Sequence, residues 1–451
     1  MIIGTNTYLK YINLSHLVNW SVQGLNNTQL SYTNQFKFSR IGDFINKSKN
    51  LIKIEDKKTY SRITVKINNN GVILRDKLQG NLIGTKKQFL AKAGQFIISR
   101  IDARNGAFGI IPDSLNNAIV TNDFPLFDIN IEVINPQFLL LITTTQNFIN
   151  FAQSCSSGTT NRQRMDIDLF LNQIIPLPSL LEQEVIVNNY FNKIEEAANL
   201  EKKVYLLQEE INFFLLDKLG IESDRSLKRT IGNLYIVNYS ELHKWGLDFI
   251  GKESNSVKKY NELPIKYFCK VSSGGTPSRS RKDFYDGGSI PWIKTGELRH
   301  EILYNSEEKI TPNAIKNSSA KLYPKDSILI AMYGATIGKT AKLGIEAATN
   351  QACAVLFNID RSIIIPDYLW EFLQLQTDNL KKLAYGSAQP NLNAGIISNY
   401  LVPVPSLEEQ SIIVKQIAIL KKEIKYLKEE SANLKYNAKK EFEIEIFNSY
   451  L

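Results

Sequence analysis

Two kinds of hydrophobic spacing alternate along the chain. The first is short and strand-like. Arg62-Ile63-Thr64-Val65-Lys66-Ile67 alternates polar and apolar positions with β-branched residues, which predicts a half-buried strand. Asn68-Asn69-Asn70-Gly71 then predicts a turn, and Val72-Ile73-Leu74 resumes a strand. Phe96–Ser99, Ala118–Val120, Ser327–Ala331 and Ala352–Phe357 are further short strands, with helices over 138–151 and 368–383. The second kind of spacing is long. Ile413, Ile417, Leu420, Ile424, Leu427, Ser431, Leu434 and Ala438 step by four and three, as do Tyr190, Ile194, Ala197, Leu200, Val204, Leu207, Ile211 and Phe214. A 3.5-residue period sustained this far predicts a helix that packs on another helix. Neither segment contains Pro or Gly until Gly220, so each helix is about 40 residues and ~60 Å long.

Both long segments open on the same phrase. Ile175-Pro176-Leu177-Pro178-Ser179-Leu180-Leu181-Glu182-Gln183 is answered half a chain later by Val402-Pro403-Val404-Pro405-Ser406-Leu407-Glu408-Glu409-Gln410. The prolines keep the helix from starting earlier, the serine is an N-cap, and Glu182 or Glu409 completes a capping box. A start signal repeated at this distance predicts a tandem duplication. Leu14–Trp20 answers Tyr239–Trp245, Thr121-Asn122 answers Thr349-Asn350, and Gly158-Thr159-Thr160 answers Gly386-Ser387-Ala388. Between these anchors the copies differ, as a shared scaffold with two surfaces would. The expected layout is an α+β globule over 1–180, a helix over 181–220, a link over 221–239, a second α+β globule over 240–405 and a helix over 406–451.

Composition narrows the class. Lys and Arg number 54 against 45 Asp and Glu, a net charge of +9 that suits a polyanionic partner. Cys155, Cys269 and Cys353 lack CxxC spacing, which points to a reducing cytoplasm. No apolar run reaches the ~18 residues of a membrane span, and Met1-Ile2-Ile3-Gly4 opens no signal peptide.

Catalytic constellations are missing. Gly334-Ala335-Thr336-Ile337-Gly338-Lys339-Thr340 is one residue short of a phosphate-binding P-loop, so a nucleotide hydrolase is a weak alternative. Asn135-Pro136-Gln137-Phe138 reads as a turn at a helix start, and Glu201-Lys202-Lys203 as a solvated helix face. His16, His243 and His300 stand apart from Cys and carboxylate clusters, so no metal site is expected. The positive signals are basic and polar residues on loops between strands. In the first copy these are Arg62, Lys66, Lys86, Lys87, Gln88, Arg100, Arg104, Asn105, Thr160 and Arg162. In the second they are Thr276, Ser278, Arg279, Arg281, Lys282, Lys294, Arg299, Lys339, Ser387 and Gln389. Arg and Lys suit the guanine edge, Asn and Gln the adenine edge, and Ser, Thr and Lys suit phosphates.

Gly274-Gly275-Thr276-Pro277-Ser278, Ile290-Pro291-Trp292-Ile293, the Gly334–Lys339 loop, Thr349-Asn350-Gln351 and the proline phrase follow one another as in specificity subunits of type I restriction–modification systems. The chain resembles that family over essentially its whole length. The first copy departs in lacking Gly-Thr-Pro-Ser and in having Asp102-Ala103-Arg104-Asn105-Gly106 where the second has Tyr333-Gly334. The resemblance implies two target-recognition domains, each reading half of a bipartite DNA site, in a pseudo-two-fold arrangement. It implies that the two long helices pair antiparallel as a coiled coil, set the spacer and dock two modification (methyltransferase) subunits. Seam or docking residues would then be Ile194, Leu200, Val204, Leu207, Ile211, Ile417, Leu420, Ile424, Leu427 and Leu434. Tyr333 joins the contact set. Two motor-nuclease subunits would complete the complex, and S-adenosylmethionine, ATP and Mg²⁺ would belong to those partners. A methyltransferase-only assembly is the alternative within the family.

Overall fold

The computed structural model describes residues 32–33, 35–157, 164–221, 259–384 and 391–447. Leu14–Trp20, Tyr239–Trp245, Thr160, Arg162, Ser387, Gln389 and nearly all of the 221–239 link lie outside the described residues. The chain divides into two compact units. One runs to Leu200 and resumes at Glu429; the other is Glu201–Lys428. The long helices are present as Leu180–Leu219 and Leu407–Ile446, 40 residues each, and each gives one half of its length to each unit.

In the first unit Phe38–Arg40 pairs antiparallel with Ile174–Pro176, the strand-like run that ends in the proline phrase. A four-stranded sheet follows in the order Ile45–Lys47, Leu126–Ile129, Phe96–Ile98, Phe108–Ile110. Its apolar face packs a phenylalanine cluster, in which the Phe96 and Phe170 rings lie parallel at 6.1 Å. A second sheet has the order Leu51–Lys53, Lys87–Leu90, Ile119–Val120, Thr59–Val65, Val72–Gln79. Its last two strands form a long hairpin with a register shift at Arg62/Ile63, turned by Asn68, Asn69 and Gly71 at positive φ. The helix expected over 138–151 is two helices, Pro136–Thr144 and Gln146–Ser154. Thr145 breaks it, because its extended backbone and its Oγ1, which accepts from Phe148 N, make it the N-cap of the second.

The second unit repeats the scheme. Glu262–Pro264 pairs antiparallel with Leu401–Pro403. One sheet runs Lys270–Ser273, Cys353–Phe357, Ile328–Ala331, Thr340–Leu343, Ile302–Leu303; the other runs Lys309–Ile310, Ile290–Ile293, Ala347–Thr349, Leu322–Tyr323. The parallel pairing of Trp292 with Ala348 matches that of Arg62 with Ile119 in the first unit. Here too the helix expected over 368–383 is divided, into Pro366–Leu375 and Thr377–Lys382, with Gln376 between them. The Gly334–Thr340 segment turns the chain between antiparallel strands, Gly338 N donating to Ala331 O at 2.9 Å. No helix N-terminus follows it to receive a phosphate, so the P-loop alternative lacks its structural context.

The repeated phrase ties each long helix to its globule. Ser179 and Glu182 exchange the two bonds of a capping box, Ser179 N to Glu182 Oε2 at 2.7 Å and Glu182 N to Ser179 Oγ at 3.4 Å. Ser406 and Glu409 do the same at 3.0 and 3.2 Å. The serine hydroxyl also donates to each carboxylate, Ser179 Oγ to Glu182 Oε2 at 2.7 Å and Ser406 Oγ to Glu409 Oε2 at 2.9 Å, and is the first cause that holds both carboxyls below the usual range. The following glutamine is fully buried in both copies. Gln183 accepts from Asn135 N and donates to Val133 O and Pro178 O; Gln410 accepts from Ile365 N and donates to Ile363 O and Pro405 O. One amide thus satisfies three buried backbone groups that would otherwise lose water without replacement.

Within the first unit Ser431 Oγ donates to Ala197 O at 3.2 Å, and Lys193 pairs with Glu441, so the helix segments run antiparallel. Phe442 packs its ring against Phe138 and Tyr190. Ile446 and Phe447 lie in this core, where Tyr32 stacks on Phe447 at 5.1 Å. Within the second unit neighbouring residues 259 and 260 touch opposite helix ends: Lys259 Nζ donates to Lys218 O and Tyr260 OH to Glu409 Oε1. That too requires antiparallel segments. Ile417, Leu420, Ile424, Leu427, Val204 and Ile211 are buried, whereas Ile194, Leu200, Leu207 and Leu434 are half-buried. The 3.5-residue seam holds to Ala438 and then steps by four to Phe442 and Ile446, where the helix leaves the seam for the globular core.

Candidate nucleic-acid interface

In the first unit two of the predicted cations, Arg62 and Lys86, are already countered by carboxylates. Arg62 grips Asp76 with Nε and Nη2, both at 2.7 Å, which raises the guanidinium and lowers the carboxyl. Lys86 donates to Asp56 and to Gly80 O. Arg100 Nε donates to Met165 O, and Arg164, on the same side as Arg100, grips Asp123 at 2.8 and 3.3 Å. Lys66, Lys87 and Asn105 are exposed, and Arg104 is half-buried in the turn Ala103–Asn105. Gln88 is a correction. Its strand faces it inward, it is 3% exposed, and its amide donates to Thr85 O, so it presents no edge to a base.

The second unit gathers its predicted residues more tightly. The loop that begins at Gly274 is seated by close packing: a Cβ on Gly274 would lie 2.1 Å from Thr349 Oγ1, and one on Gly275 2.2 Å from Ser319 O. Trp292 Nε1 donates to Gly275 O at 3.0 Å and Tyr285 OH to Pro277 O at 2.6 Å. On this platform Arg279 lies over the Tyr285 ring at 4.4 Å and the Trp292 ring at 5.2 Å, and pairs bidentately with Glu308. Lys294 Nζ is 3.4 Å from the same carboxylate. Those cations, Arg279 first, hold the Glu308 carboxyl down at about 2. Arg281 lies over Phe284 and grips Asp283. Thr276 Oγ1 faces Gln351 N at 3.5 Å, and Ser278 bonds Ser280 at 2.8 Å. Lys282, Arg299 and Tyr333 are exposed.

Lys339 belongs to a different cluster. It is half-buried and, with Lys381 and Lys421, surrounds His300, whose pKa is lowered by burial first and by these cations second. The carboxylates Asp56, Asp76, Asp123, Asp283 and Glu308 are residues that sequence reasoning missed. Glu308 lies 29 positions from Arg279, so only the fold brings them together. Among the described residues there is no group of His, Cys, Asp and Glu suited to a metal, and no helix long and apolar enough to cross a membrane. The three cysteines are free and buried, and burial pushes the Cys155 and Cys269 thiols up to about 11 and 12.

The arrangement is two divergent charged faces on one repeated scaffold, each followed by a long helix. Its relatives agree. The chain is 31% identical over 176 residues to the type I restriction enzyme MjaIX specificity subunit of Methanocaldococcus jannaschii, spanning 38% of this chain and 40% of that relative. It is 24% identical to the type I restriction enzyme HindI specificity subunit of Haemophilus influenzae, over 75% of this chain and 82% of that one. A solved structure described as the structural basis underlying complex assembly and conformational transition of the type I R-M system matches 94% of this chain and all of its own, with TM-score 0.58 at 17% identity, a likeness of fold. The type I restriction modification DNA specificity domain matches twice, over residues 34–213 and 258–436, and the chain belongs to that family.

Proposed function

We propose that this chain is the DNA specificity subunit of a type I restriction–modification complex, without chemistry of its own. Globules 1–180 and 240–405 each read one half of a bipartite, asymmetric double-stranded site. The helices 181–220 and 406–451, with the link 221–239, fix the unread spacer and dock two modification subunits. Two restriction subunits complete the assembly. S-adenosylmethionine, ATP and Mg²⁺ are bound by those partners, in the cytoplasm.

The observation that carries this reading is the doubled family domain, with its helix-start phrase, capping boxes and glutamine clamps conserved between copies while the charged faces differ. Cations poised on carboxylates suit phosphate and base recognition, since each pair can be exchanged for a nucleic-acid acceptor. A helix of 40 residues, ~60 Å long, exceeds one turn of B-DNA. Co-expression with the modification subunits followed by mapping of methylated adenines across a genome tests it. The expected motif has two unlike specified halves around a fixed spacer; a single uninterrupted palindrome contradicts the reading.

A further inference from the structure

Four arginines of the described surface pair bidentately with a carboxylate, and they do so in two different ways. Arg62, Arg164 and Arg281 use Nε together with Nη2, so the lateral side of the guanidinium is occupied by Asp76, Asp123 and Asp283. Arg279 instead grips Glu308 end-on, through Nη1 and Nη2, with Nη2 to Oε2 at 2.9 Å. A guanidinium has five N–H groups in a rigid plane, and an end-on grip spends one from each terminal nitrogen. The Nε–H and the second Nη2–H of Arg279 are therefore left side by side, the geometry that matches guanine O6 and N7.

We propose that Arg279 reads a guanine directly through this lateral N–H pair, and that Glu308 is the positioning residue that aims it. This rests on the DNA-reading function proposed above and assigns a base to one of its heads. The side chain is built for orientation. Its guanidinium carbon lies 4.4 Å from the Tyr285 ring and 5.2 Å from the Trp292 ring, its end is held by Glu308, and Tyr285 itself is tied to the loop backbone at Pro277. Even so its side chain is 55% exposed. An arginine that only neutralises phosphate gains nothing from such restraint, whereas direct readout depends on it. Lys294 Nζ lies 3.4 Å from Glu308 and 3.5 Å from Glu307, so two cations face two carboxylates, and the cations, Arg279 first, keep Glu308 ionised.

The full chain is reconstituted with its modification subunits, and methylated sequences are mapped for wild type, Arg279→Lys and Glu308→Gln. Arg279→Lys keeps the charge but loses the planar fork. The expected result is that a required G·C pair at one position of one half-site becomes degenerate, with discrimination there falling about 10- to 100-fold and the other half-site intact. Glu308→Gln is expected to relax the same position. An unchanged motif in Arg279→Lys overturns the proposal, and so does tighter binding with unchanged selectivity in Glu308→Gln, the behaviour of a phosphate contact masked by a competing carboxylate. Failure of the wild-type complex to methylate any bipartite site is a separate outcome, which removes the underlying reading and the proposal with it.

Discussion

The two units solve one problem, fastening a globule to a long helix, with opposite chemistry. In the first unit the fastening is aromatic: Phe442 of the C-terminal helix sits between Phe138 and Tyr190, and Phe447 stacks on Tyr32. In the second it is ionic. Lys421 donates to both oxygens of Glu371 at 2.7 Å and lies 4.9 Å from the Trp370 ring, with Glu371 only 9% exposed. Elsewhere the fastenings are the same, a strand pair, a capping box and a buried glutamine in each copy. The faces proposed to read DNA diverge as well. The first unit extends a hairpin whose arginine is closed laterally by Asp76, and the second uses a loop whose Arg279 is held by its end. The helix entry is held constant, and variation is confined to what surrounds it.

The aromatic fastening is expected to be the more sensitive. Phe442→Ala removes a ring that is 4% exposed and should cost about 4 kcal/mol, read as a fall in the thermal unfolding midpoint of the full chain. A loss under 1 kcal/mol would show that the ring merely fills a gap. Lys421→Ala should cost less, about 2 kcal/mol at neutral pH, since Lys421 is itself a third exposed. Its pH dependence separates the two fastenings. Burial, opposed chiefly by Lys421, holds the Glu371 carboxyl above its ordinary range. Stability from such a group is fully present below the unfolded carboxylate value and is lost as pH rises through the raised one. Without Lys421 the raised value climbs further, so the Lys421→Ala deficit should shrink as the solution is acidified. The Phe442→Ala deficit should keep the same size across that range.

Much of this was legible in the sequence, and the reasons are physical. The seam of the C-terminal helix follows from a local period, and Ile413 through Ala438 are buried or half-buried as spacing alone requires. The capping boxes follow from a three-residue interval. The role of Gln183 and Gln410 was not legible, because their partners are backbone groups of the globule, 45 to 50 residues away. Two helices were expected where four occur, because no Pro or Gly marks Thr145 or Gln376 and only the backbone at those residues shows the break. Basic residues could be named but not sorted. Whether an arginine is closed laterally or held end-on depends on a carboxylate that, except for Asp283 beside Arg281, lies 14 to 41 residues away.

The most direct measurement exchanges residues 240–405 for the corresponding globule of another family member and maps the methylated sequence of the reconstituted complex. One half-site should change completely, while the other half-site and the spacer length stay as they were. A change in both halves, or in the spacer, would contradict two independent reading surfaces on one repeated scaffold.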